Sequence, residues 1–126
     1  MGGQRKRRVD WSIVNKAKRQ EFRRFAEKAR DLVWSLPDPW ERTEGPGRPP
    51  EYLAKPLVVL SMMKVYTGKS YRWVEGFLEA SGWLCDLLGF DARIPSYETI
   101  RRATLALGEE YVRSLNRKLL ESLGNR

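Results

Sequence analysis

The chain has 126 residues, 41% of them hydrophobic, with 24 Lys and Arg against 16 Asp and Glu for a net charge of +8. That is too apolar for a disordered chain, and no apolar run approaches the ~20 residues that a membrane-spanning helix needs. A single cysteine, Cys85, rules out an intramolecular disulfide framework, and the lack of histidine removes His-dependent triads and His metal ligands.

Residues 1–9 (MGGQRKRRV) form a Gly-plus-basic arm in which Arg5, Lys6, Arg7 and Arg8 repel one another. No apolar segment of secretory type follows it, so a cytoplasmic location is expected. Asp10 is placed to cap a helix from Trp11 to about Leu36. Phe22, Phe25, Ala29, Leu32 and Leu36 recur there at three- and four-residue steps and make one apolar stripe. Lys16, Lys18, Arg19, Arg23, Arg24, Lys28 and Arg30 cover much of the remainder. Residues 1–36 carry 11 basic and 4 acidic side chains, so nearly all the excess charge sits in the first third. A polyanion is the natural partner for such a segment, and a solubilising surface is the plainer alternative.

Pro37 ends the helix. Residues 37–50 (PDPWERTEGPGRPP) read as a linker. Pro56 suits the first turn of a helix that runs to about Thr67 and is apolar on nearly all sides, hence central and buried. Gly68 closes it and Ser70 caps the next helix, 71–80, with Trp73, Val74, Phe77 and Leu78 inward. A short apolar helical turn, 83–88, ends at Gly89. Ser96 caps helix 97–107, with Tyr97, Ile100, Ala103, Thr104 and Leu107 on one face and Glu98, Thr99, Arg101 and Arg102 on the other. Gly108 separates it from a last helix, 109–123, whose apolar stripe is Tyr111, Val112, Leu115, Leu119 and Leu123. Period-two β-branched runs are absent. The expected fold is therefore all-α, a multi-helix bundle with a helix-turn-helix-like trihelical core. Its expected divisions are 1–36 (arm and amphipathic helix), 37–50 (linker), 51–108 (DNA-binding core) and 109–126 (C-terminal helix).

Helices 56–67, 70–80 and 97–107 would form that trihelical core, with the last as the reader. Its first turn offers backbone N–H groups and the Ser96 hydroxyl to a phosphate. Arg101 or Arg102 is long enough to fork onto guanine O6 and N7, and Thr99 to reach a thymine methyl or a phosphate. A merely solvated helix face accounts equally well for the two arginines. Cys85, in an apolar helical turn, reads as a core residue, and the aromatic spacing of Tyr71, Trp73 and Trp83 favours packing over base stacking. Glu75/Glu79 and Glu109-Glu110 read as surface carboxylates rather than an acid–base pair.

The run from Gly47 to about Leu107 resembles the N-terminal helical domain of DDE-type insertion-sequence transposases. The marks are Gly47-Arg48-Pro49-Pro50, then Tyr66-Thr67-Gly68-Lys69-Ser70, an amphipathic helix with Glu75 and Leu78, the close Leu87-Leu88-Gly89, and Ile94-Pro95-Ser96-Tyr97-Glu98-Thr99-Ile100-Arg101-Arg102. The chain departs from the family at Tyr97-Glu98, where small or polar residues are commoner. The resemblance implies binding of double-stranded DNA at the terminal inverted repeats of a mobile element. It also implies that chemistry belongs to a separate metal-dependent carboxylate domain. Nothing β-rich follows residue 108 to seat such carboxylates. The expectation is thus a non-enzymatic, cofactor-free DNA-binding half, whether a split reading frame or a truncated copy, working with a separate catalytic subunit. Its expected DNA contacts are Arg5, Lys6, Arg7, Arg8, Lys16, Arg19, Arg23, Arg48, Ser96, Thr99, Arg101 and Arg102. Two alternatives stand beside it: a stand-alone regulator of the same fold, and a protein-interaction module that dimerises through helices 11–36 and 109–123.

Overall fold

A computed structural model of the chain describes residues 11–39, 54–91 and 93–124, with side chains from Gln20 onward. Six helices make up the described residues, with no strand among them: α1 (Trp11–Trp34), α2 (Ala54–Thr67), α3 (Tyr71–Ala80), α4 (Gly82–Leu88), α5 (Tyr97–Leu107) and α6 (Glu109–Gly124). The described residues form an all-α bundle of six helices.

α2 is the centre of the bundle and packs on α1, α3, α5 and α6. Every residue from Pro56 to Met63 is buried, as its unbroken apolar sequence requires. The helix starts at Ala54, two residues before the proline that sequence alone places first. Pro56 remains harmless there, because the first four N–H groups of any helix lack an intrahelical acceptor. Gly68 follows at φ +70 and donates its N–H to Lys64 O (3.0 Å), a backbone conformation that a Cβ would strain.

α1 joins the same core. Phe25, Ala26, Ala29 and Val33 are buried, with Phe22, Leu32 and Leu36 packed at the edge. Regular helix stops at Trp34 rather than at Leu36. Ser35 N–H and Leu36 N–H donate to Leu32 O and Val33 O in a tighter last turn, and Pro37 disfavours helical backbone at the residue before it. α6 presents Val112, Leu115 and Leu119 to the core, while Tyr111 is 42% exposed instead of lying on the stripe. The apolar stripes of α1 and α6 thus pack into the core of this chain.

Two buried polar contacts tie distant helices together. Thr104 Oγ donates to Ile100 O at 2.9 Å, which leaves its lone pairs to accept from Ser61 Oγ of α2 at 2.6 Å. Asn116 of α6 donates Nδ2 to Met62 O at 3.2 Å, but its Oδ1 is buried with no partner among the described residues. No described helix is long and apolar enough to cross a membrane.

Candidate nucleic-acid interface

α5 forms because its ends and one face are well determined. Ser96, in extended conformation, accepts Thr99 N–H on its side chain (3.3 Å) as N-cap. Ile100, Ala103 and Thr104 are buried against α2, and full burial of an Ile side chain stabilises by about 1.5–3 kcal/mol. The helix also packs on α3, so α2, α3 and α5 touch one another pairwise. α4, which lies between α3 and α5 in sequence, packs on α3 and α1.

The opposite face of α5 is open. Arg101 and Arg102 side chains are 48% and 78% exposed, so neither guanidinium is enclosed. Both are nonetheless drawn to one carboxylate. Glu98 Oε2 lies 3.2 Å from Arg101 Nη1 and 3.5 Å from Arg102 Nε, the (i, i+3) and (i, i+4) neighbours on the helix surface. Such exposed pairs are worth about 0–1 kcal/mol each and yield readily to a stronger anion. Leu105, one turn on, is 62% exposed and extends the face with an apolar tip.

The first turn of α5 is less available than its sequence promises. Tyr97 N–H donates to Glu75 Oε1 of α3 at 2.9 Å, and Thr99 N–H is held by Ser96. Ser96 Oγ also lies 3.3 Å from Thr99 Oγ. Two N–H groups of the expected phosphate seat at this turn thus already have acceptors, and the carboxylates of Glu75 and Glu98 stand beside it. Arg72 of α3 completes the cluster. Its Nη2 donates to the Tyr97 hydroxyl at 3.0 Å, and its guanidinium sits 4.4 Å from the Tyr97 ring centroid.

Trp73 is a correction. It is 39% exposed rather than inward, because Val74 and Leu78 take the buried face of α3. Its indole lies flat on Phe77 at 5.2 Å, with the Lys69 ammonium 5.7 Å from its centroid. Tyr71 and Trp83 pack at the edge of the core. Cys85 does so as well, donating Sγ–H to Leu78 O at 3.3 Å; desolvation, aided by nearby Asp86, raises its thiol pKa.

The predicted DNA contacts separate in space. Ser96, Thr99, Arg101 and Arg102 share α5. Arg23 does not join them: it pairs with Glu27 (3.3 Å) and sits 5.1 Å from the Trp83 ring, at a groove of about 390 Å³ between α1 and α4. Lys16 and Arg19 fall within α1, but their side chains lie outside the described residues, as do Arg5, Lys6, Arg7, Arg8, Arg48 and the Asp10 cap. Sequence reasoning missed Arg72 and Glu75, which act on α5 from another helix. Comparison with known proteins finds no matching family model, no matching curated protein and no matching solved structure.

Proposed function

We propose that this chain is a duplex-DNA-binding module of helix-turn-helix type that reads sequence with α5, and that it serves a DDE-type transposase as the N-terminal domain that recognises transposon ends. The observation that carries the reading is the open outer face of α5, where two exposed guanidinium groups stand on a helix whose other face is anchored to α2 and α3. A rigid rod with forked donors on its outer side meets the requirement for reading guanine in the major groove. The mutual packing of α2, α3 and α5 supports a trihelical core, and the motifs of residues 47–107 supply the transposase assignment.

On this reading Arg72 and Glu75 are positioning residues that fix the first turn of α5. Glu98 pairs with both arginines until the more strongly binding DNA displaces it. The basic arm and α1 add affinity without sequence preference. The test is a comparison of preferred and random duplexes. Arg101→Ala or Arg102→Ala, whichever forks onto guanine, weakens the preferred duplex by about 1–3 kcal/mol and changes random duplex little. Replacing Arg5, Lys6, Arg7 and Arg8 weakens both alike. Equal losses on both duplexes for the two α5 arginines would refute the assignment.

A further inference from the structure

We propose that the cleft between α1 and α6 is a second binding site for nucleic-acid phosphodiester, held by Lys28 and Lys118 without regard to base sequence. Most described cations are engaged. Arg23, Arg30, Arg101, Arg102 and Arg113 pair with carboxylates. Lys64, Lys69 and Arg72 sit over aromatic rings, and Lys55 donates to Trp34 O. Among the described side chains, Arg24, Lys28, Arg117 and Lys118 have no ion pair, hydrogen bond or ring contact, and all four lie on α1 and α6.

Two of the four face one space. Lys28 from α1 and Lys118 from α6 line a cleft of about 400 Å³ with Leu32, Leu119 and Ser122. Among the described residues Asp31 is the one carboxylate on its wall, and it lies 3.7 Å from Arg30. Two unpaired lysines from different helices line this cleft, and their like charges gain when an anion settles there. A phosphodiester offers one charge and two unesterified oxygens, enough to accept from both lysines and from Ser122. The setting is basic too: α1 carries seven Lys and Arg against three Asp and Glu.

The site depends on the chain binding DNA, but not on α5 being the reader, and two measurements keep these apart. First, the full chain is acetylated with and without a bound random-sequence duplex, and each lysine is read by mass spectrometry. Lys28 and Lys118 become protected, while Lys55 does not change. Equal acetylation of Lys28 and Lys118 in the two states would overturn the proposal. Second, the double variant K28Q/K118Q removes the contact to one phosphate. The slope of log affinity against log salt falls by about 0.9, so the affinity lost between about 50 and 200 mM salt shrinks roughly three- to fourfold, equally on preferred and random duplexes. An unchanged slope would also overturn it. Protection of both lysines in a chain with no base preference leaves this site standing and refutes α5 as the reader. A chain that retains no duplex refutes both.

Discussion

Glu98→Gln should make the protein less stable and a better DNA binder at once. The carboxylate sits in the first turn of α5, 3.2 Å from Arg101 and 3.5 Å from Arg102, with all three side chains substantially exposed. Losing two exposed ion pairs removes a few tenths of a kcal/mol each, and losing an anion beside the helix N-terminus removes about 0.3–1 kcal/mol more. The sum is about 1 kcal/mol, which lowers the melting temperature of a domain of this size by roughly 4 °C. Towards DNA the sign reverses. One fewer negative charge about 5 Å from a phosphate, screened by water, is worth about 0.8 kcal/mol, or roughly fourfold in affinity. Both arginines also lose their competing partner. Fluorescence anisotropy with random and preferred duplexes at low salt reads the affinity, and thermal unfolding by circular dichroism reads the stability. Tighter binding by about three- to tenfold, with lower stability, is expected. Unchanged or weaker binding to random duplex by the folded variant would show that this face of α5 does not approach phosphate.

Three further outcomes follow from the core. Thr104→Val preserves shape but strands the buried Ser61 hydroxyl, at a cost of about 2–3 kcal/mol; adding Ser61→Ala restores part of it, so urea unfolding of the singles and the double shows coupling of about 1 kcal/mol. Additive losses would mean that the two hydroxyls do not bond. Asn116→Leu removes one bond to Met62 O together with a buried, unpartnered Oδ1. Stability should change by less than about 1 kcal/mol or rise; a loss beyond about 2 kcal/mol would show that the amide is better satisfied than its geometry indicates. Cys85 has a raised thiol pKa, so the fold favours its protonated form. That contribution is complete below the ordinary thiol pKa and is lost as pH rises through the folded value. Alkylation at pH 8 should be slow in the native protein and become fast in urea; equal rates would contradict the packing of the thiol.

Much of this architecture is local and was therefore legible in the sequence. Ser70 and Ser96 announce their helices by chemistry that needs only the next three residues, and each caps through the predicted hydrogen bond. The continuous apolar run of α2 likewise marks the centre, since such a helix has no polar face to turn to water. What the sequence leaves unseen lies where residues far apart in sequence meet one group. Glu75 reaches Tyr97 N–H across 22 positions. Arg23 sits over Trp83, a ring that its own helix gives no hint of. Trp73 was misassigned for a different reason: in a ten-residue helix the stripe is narrow, and Val74 and Leu78 fill it without the indole. Even the Glu98 pairing with Arg101 and Arg102 was implicit in three- and four-residue spacing, although only the coordinates show one carboxylate serving both.

The claim on which the rest depends is that α5 turns a base-reading face outward. Selection of bound duplexes from a random pool by the full chain, at two salt concentrations, tests it most directly. The account predicts a guanine-containing consensus that survives at the higher salt, while retention of unselected duplex falls about 10³-fold for some six phosphate contacts. Recovery of duplexes with no shared sequence at either salt would contradict it.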